Sequence, residues 1–237
     1  MEKVQLIDKP KAVFSWSGGK DSALALQKVL LAHDFEIIAL LTTINETTND
    51  SSIHRIPVHL LEKQAQAIGI PLHLVSLTEN ISNYNQTMHK VISNYKDMGV
   101  THFIFGDIFL EDVRKYREQN LQPLHMKLVQ PLWGMTSEEV LAEFYCSGIK
   151  AKIIVADAEK LGKAFIGKKL DASLIRTLPE NVEICGENGE YHSFVYDAPF
   201  FEKAITFKIS EIVKLSYTFK LDTGAVITSH FWQAIIG

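Results

Sequence analysis

Short apolar runs alternating with helical-period segments dominate the first half of the chain. Runs rich in Val, Ile, Leu and Phe predict strands at Lys11–Trp16, Glu36–Thr43, Leu72–Leu77 and Thr101–Gly106. Their length and uniform apolarity are those of strands buried on both faces. Between them apolar positions recur every three or four residues. Ser22–Leu31 reads as one helix. Leu61, Ala65 and Ile68 mark a second, with Pro57 near its start and Gly69 at its stop. Tyr84, Met88, Val91, Ile92 and Tyr95 mark a third, ending at Gly99. Strands alternating with helices imply crossover connections, hence an α/β fold: a parallel sheet with helices on both faces.

The second half changes pattern. Pro123 and Pro131 mark a break, and the expected division is a first domain at 1–122 and a smaller α+β domain at 123–237. Thr136-Ser137-Glu138-Glu139 reads as a capping box opening a helix that stops at Gly148. Lys152–Ala156 is a further short strand. Ile205, Phe207 and Ile209 alternate, as do Tyr217, Phe219 and Leu221, which predicts antiparallel pairing near the C-terminus.

Ligands of a parallel sheet bind beyond the carboxyl ends of its strands. The first strand ends in Ser15 and Trp16 and runs into Ser17-Gly18-Gly19-Lys20-Asp21-Ser22. A glycine pair between strand and helix turns backbone N–H groups toward one point, with a helix N-terminus behind them, and this suits phosphate. Lys20 adds positive charge, and Asp21 a carboxylate able to hold Mg²⁺. The spacing is not that of a Walker A loop. Thr42 and Thr43 close the second strand, and Gly106 and Asp107 the fourth. Gly106 permits close backbone approach, while Asp107 suits either a Mg²⁺ or ribose contact or a helix N-cap. Arg114 and Arg117, three apart on the next helix, can face one way and clamp a phosphate or carboxylate, or else form a solvated face with Glu118.

Cys185-Gly186-Glu187-Asn188-Gly189-Glu190-Tyr191-His192-Ser193 is a second polar, glycine-framed segment. Its Glu187 and Glu190 could bind Mg²⁺ or orient an amine, and His192 could move a proton. A plain surface turn is the competing reading. Cys185 has no base assignable from sequence and reads as an inert thiol. His54 reads as a surface or internally satisfied histidine.

Composition narrows the choices. The chain has 237 residues, 46% of them hydrophobic, so a large core can form. A net charge of −4 argues against broad nucleic-acid binding. Two cysteines, no C-x-x-C and no histidines four apart leave no zinc pattern. No apolar run has the length of a membrane span, and no signal-peptide pattern opens the chain, so the expected location is cytoplasmic. A homodimer is the default oligomer.

The S-G-G-K-D-S motif after a strand resembles the PP-loop of the ATP pyrophosphatases. Phe14–Ser22, Gly106-Asp107, Pro131-Leu132-Trp133 and Cys185–Glu190 together resemble the diphthine–ammonia ligase family of these proteins. The resemblance runs through most of the chain and implies a HUP-like sheet binding ATP. By resemblance, Ser15 to Ser22 with Thr42, Thr43, Gly106 and Asp107 contact the nucleotide. Asp21 and Asp107 hold Mg²⁺, and Lys20, Asp21, Glu187, Glu190 and His192 are catalytic. Arg114, Arg117, Glu187, Asn188 and Glu190 meet the acceptor. The ligase branch typically carries Glu-Gly-Gly-Glu-(Phe/Tyr)-Glu where this chain reads Glu187-Asn188-Gly189-Glu190-Tyr191-His192. That departure resembles a bacterial branch, for which diphthine is a poor guess as substrate. The expected activity is an AMP-forming ligase that adenylates a carboxylate and transfers ammonia or another amine. A nucleotide-sensing module is the alternative. A tRNA-modifying enzyme fits less well, since neither a basic surface nor a cysteine pair is present.

Overall fold

The apolar runs of the first half lie side by side in one sheet. The computed structural model of the protein describes residues 9–77, 82–220 and 226–237. Its elements in the first half are β1 (Lys11–Ser15), α1 (Lys20–Ala32), β2 (Glu36–Asn45), β3 (Asp50–Ser51), α2 (Val58–Ile68), β4 (Leu72–Leu77), α3 (Ser82–Asp97), β5 (Val100–Ile104), α4 (Glu111–Leu121) and β6 (Lys127–Val129). Strands β4, β2, β1, β5 and β6 are parallel neighbours in that order, and β3 pairs antiparallel with the far end of β2. The chain moves outward from β1 through β2 to β4, then returns to the other side of β1 as β5. The order therefore reverses between β1 and β5, where a doubly wound sheet opens a crevice.

Period-two alternation sorts the strand residues onto two faces. Ala12 and Phe14 of β1 join the cluster containing α1 and α2, and Val13 joins the one containing Ile92 and Tyr95 of α3 and Leu121 of α4. Helices thus cover both faces, as expected. Strand β6 belongs to this sheet although it lies beyond the break expected near residue 122.

The remaining elements are α5 (Ser137–Cys146), β7 (Lys150–Asp157), α6 (Ala172–Ile175), β8 (Tyr191–Asp197), β9 (Ile209–Lys220) and β10 (Val226–Ile236). The four strands form an antiparallel sheet in the order β8-β7-β10-β9. The capping box is present: Thr136 Oγ1 accepts from Glu139 N–H, and the Glu139 carboxylate accepts from Thr136 N–H.

Helix α1 joins the two sheets. Ser22, Ala23, Leu24, Ala25 and Leu26 are consecutive and all buried, more than a one-faced helix can hide. One side of α1 covers the parallel sheet, and β8 and α5 pack on the other. Lys28 Nζ meets Glu143 of α5 at 2.5 Å, and Gln27 Nε2 donates to Ser147 O at 3.1 Å. Phe14 and Leu26 share one apolar cluster with Ile153 and Phe194 of the second sheet.

Two expectations need correction. Ile205 and Phe207 are not in a strand, because β9 begins at Ile209. Both side chains pack on the core, which produces the alternation. The backbone makes isolated bonds instead of a ladder, with Ile205 N–H donating to Tyr196 O and Lys208 N–H to Gly237 O. His192 belongs to β8 rather than to the polar loop before it. Tyr217 and Phe219 do lie in β9, paired antiparallel with β10; Leu221 lies outside the described residues.

Candidate active site

The carboxyl ends of β1, β2 and β5 open into a cavity of about 350 Å³, closed on its remaining sides by α3, α4, the turn after β3, and Gly186 to Ser193. Of the expected site residues, Ser15, Trp16, Ser17, Lys20, Asp21, Ser22, Thr42, Thr43, Gly106, Asp107, Arg117, Glu187 and His192 line it.

Backbone geometry and one buried side chain hold the Ser17–Ser22 loop. Gly18 sits at φ +79°, in the left-handed region where a side chain is strained. Gln64 projects from the apolar face of α2 and is fully buried. Its Nε2 donates to Gly18 O at 3.1 Å and Val195 O at 2.7 Å, and its Oε1 accepts from the Trp16 indole N–H at 3.0 Å. Strand β8 completes the support, with Val195 N–H donating to Gly18 O and Lys20 N–H to Ser193 Oγ, at 2.9 and 3.0 Å. Ser17 Oγ donates to Ser22 Oγ, which donates to Gly19 O, folding the loop onto the start of α1. Thr42 is buried, and its hydroxyl donates to Trp16 O at 2.5 Å, tying β2 to the loop.

Two features suit a nucleotide's phosphates. Helix α1 receives no side-chain cap from Gly19, although its Lys20 N–H donates to Ser193 Oγ, and its N-terminal end lies at the crevice. At Gly106 a Cβ would lie 3.0 Å from the backbone of Asp21 and Ser22, so only glycine lets the β5 end approach this closely. Lys20, 3% exposed, binds both oxygens of Asp21, at 2.6 and 2.7 Å. Burial works against the ammonium, but the Asp21 carboxylate more than restores it, so Lys20 stays charged, above its ordinary value.

Asp107 is not free. Arg117 takes both its oxygens, through Nε to Oδ2 at 2.5 Å and Nη2 to Oδ1 at 2.8 Å, and Gln130 Nε2 donates to Oδ2 at 2.8 Å. The Arg117 guanidinium lies 3.9 Å from the Phe105 ring centre. Asp107 and Arg117 thus form one fixed wall. Arg114 lies away from the cavity, over the Trp133 ring at 4.6 Å and bonded to Glu118. Among the described residues no group of three His, Cys, Asp or Glu could hold a metal ion alone.

The two glutamates of the second loop have different fates. Glu183 ties the loop together, accepting from Cys185 N–H and Glu187 N–H. Glu187 faces the cavity, and its Oε1 accepts from Ile108 N–H at 3.0 Å. Burial and the nearby Asp21 and Asp107 charges push it up to about 7, against the pull of Ile108 N–H and Lys20. Glu190 is buried outside the cavity lining, paired with Lys160 at 3.1 Å. Burial raises it, but its own N–H, Lys160 and Glu183 N–H together hold it below the ordinary carboxylate range. Asn188 is exposed and also outside the lining. The Cys185 thiol is buried and pushed up to about 12, which leaves it unreactive.

Sequence reasoning missed three participants. Gln64 carried a signal, a polar residue three beyond Leu61 on an apolar helix face. Ser193, closing the polar segment, and His54 were given no role, since the strand and turn that hold them are defined by distant partners.

Fold and site define a class, a doubly wound α/β protein of the PP-loop kind, with its cavity at the switch point of the sheet. The family model described as the diphthamide synthase N-terminal domain matches residues 10–128, and that of the C-terminal domain matches 136–226. The chain belongs to the diphthamide synthase family. It is 27% identical to the Homo sapiens diphthine–ammonia ligase over 221 residues, 83% of this chain and 82% of that protein. With the Danio rerio diphthine–ammonia ligase the identity is 28% over 223 residues, 83% of this chain and 86% of the relative. A solved structure, the U34-tRNA thiolase NcsA from Methanococcus maripaludis with its [4Fe-4S] cluster, overlaps at TM-score 0.38 and 16% identity. That overlap covers 60% of this chain and 58% of the thiolase, a likeness too slight to carry weight. Among the described residues no helix is long and apolar enough to cross a membrane.

Proposed function

We propose that the protein is an ATP-dependent, AMP-forming ligase that joins ammonia or another amine to a substrate carboxylate. The carrying observation is that one cavity holds the Ser17–Ser22 loop, the charged Lys20 and a glutamate poised near neutrality. The acceptor carboxylate attacks the α-phosphorus of ATP, and pyrophosphate leaves. The amine then attacks the acyl-adenylate carbonyl, AMP leaves, and the nitrogen's surplus proton passes to the Glu187 carboxylate. A base titrating near 7 suits that transfer at neutral pH. Lys20 and the N-terminal end of α1 neutralise charge growing on the phosphates. Mg²⁺ bound with the nucleotide would add to that neutralisation, held by phosphate oxygens and the Asp21 carboxylate once Lys20 turns to phosphate. The fixed Asp107–Arg117 pair would form one wall of the site.

Diphthine is the acceptor named for the relatives. Here His192 stands in the loop position where the resemblance leads one to expect a glutamate, so the proposed acceptor is a carboxylate without commitment to diphthine. The test is phosphorus NMR of the protein with Mg-ATP, ammonium and a metabolite extract, with Asp21→Ala as control. AMP and pyrophosphate formed only by wild type with extract support the reading. ADP and phosphate as products would overturn it.

A further inference from the structure

The chemistry above leaves unused the stacked imidazoles of His54 and His192. They line the same cavity, with ring centres 4.6 Å apart and planes inclined by 35°. His54 sits on the turn after β3, which Ile56 N–H pins by donating to Ser51 Oγ. It lies directly against the Ser17–Ser22 loop, since a Cβ at Gly19 would come within 2.6 Å of His54 Cε1. Ser193 connects the two, its hydroxyl accepting from Lys20 N–H and its carbonyl facing His54 Nδ1 at 3.4 Å. A carbonyl only accepts, so Nδ1 carries the hydrogen and Nε2 keeps a bare lone pair. Among the described residues no hydrogen bond reaches the His192 ring.

Both rings are uncharged. Burial, with a contribution from Lys20, lowers His54 to about 4. Burial, the His54 ring and Lys20 hold His192 well below its ordinary value. The other charged groups around the cavity are already matched or distinct: Asp21 pairs with Lys20, Asp107 with Arg117, and Glu187 bonds Ile108 N–H. Two uncharged bases therefore stand against a loop shaped for polyphosphate, beside the one cation that suppresses their charge.

We propose that His54 and His192 form a wall of the polyphosphate subsite, take up a proton from solvent when the nucleotide's terminal phosphates seat, and as imidazolium hold the pyrophosphate leaving group. This rests on the ligase reading. An anion beside the rings favours their charged form, and it also draws Lys20 away from them. The proton returns to solvent when pyrophosphate departs, so the cycle balances without another reactant.

The experiment is titration calorimetry of the full chain with magnesium pyrophosphate and, separately, with a non-hydrolysable ATP analogue. Buffers of different ionisation enthalpy count the protons exchanged. Comparison with the His54→Asn/His192→Asn double variant cancels the ligand's own titration. At pH about 6.5 wild type should take up roughly 0.5 to 1 proton more than the variant, which should bind roughly tenfold more weakly. Imidazole Cε1–H resonances of wild type, assigned through His192→Gln, should move toward imidazolium positions on pyrophosphate addition. That readout stands even where the double variant folds poorly, and a purely structural pair would not move it. Equal proton uptake in variant and wild type, or unmoved resonances, overturns this proposal alone. Failure of either ligand to bind wild type overturns the ligase reading with it.

Discussion

The two polar loops of the cavity are built on opposite principles. Other elements hold the Ser17–Ser22 loop, through Gln64 of α2, Thr42 of β2 and Ser193 and Val195 of β8. The Cys185–Glu190 loop is held mainly by a nearby glutamate, Glu183, and by Glu190 folding inward onto Lys160. The first is fixed by residues remote in sequence and presents fixed charge. The second is tied mainly through its neighbour Glu183, with Lys160 and Ile108 reaching in, and presents a carboxylate whose proton is nearly free to go either way. Rigid geometry thus stands on one side and tuned acidity on the other.

The strongest way to break this comparison is to remove the fixed charge. Asp21→Ala should lower turnover by at least about a thousandfold, read as AMP formation, with the circular dichroism spectrum unchanged. Gln64→Leu tests the external support. It deletes three buried hydrogen bonds around Trp16, Gly18 and Val195 and should cost about 3 kcal/mol in denaturant unfolding. A cost under about 0.5 kcal/mol would show the loop holding itself.

Glu187→Gln probes the tuned side and should lower turnover roughly a hundredfold. Wild-type turnover should rise with pH through about 7 and flatten above it, and the variant should lose that limb. Stability moves the other way. A carboxyl raised in the folded state stabilises fully below its ordinary 4.5, and that contribution is lost as pH rises through about 7. The smallest effect belongs to Glu190→Gln, about 1 kcal/mol of stability and little change in turnover. Glu190 is held low, so its contribution is present above its ordinary value and lost as pH falls. Two glutamates three apart should therefore show pH dependences of opposite sign, and matching signs would end the distinction between them.

Much of this was legible in the chain. The apolar runs marked β1, β2, β4 and β5 closely, because each is a short apolar stretch set off from the helical segments beside it. The Ser17–Ser22 motif marked the cavity, because a strand–glycine–helix junction is a local feature. Strand β8 was not legible: the polar residues His192 and Ser193 interrupt its apolar pattern, and its pairing with β7 is long-range. Nor was the separation of Glu187 from Glu190, which depends on Lys160 and Ile108 reaching the loop from elsewhere. The hold of Arg117 and Gln130 on Asp107 was not legible either, because nothing near it in sequence announces them.

The support of the Ser17–Ser22 loop by β8 has a consequence in time. Lys20 and Ser193 are 173 residues apart, and their bond cannot form until all of the intervening chain has been made. During synthesis the parallel sheet can assemble early, but its loop stays loosely held until β8 arrives. A nascent chain stalled before Ser193 would therefore carry the whole S-G-G-K-D-S motif and still lack a working site. Synthesis through Val195 is thus a precondition for the held loop.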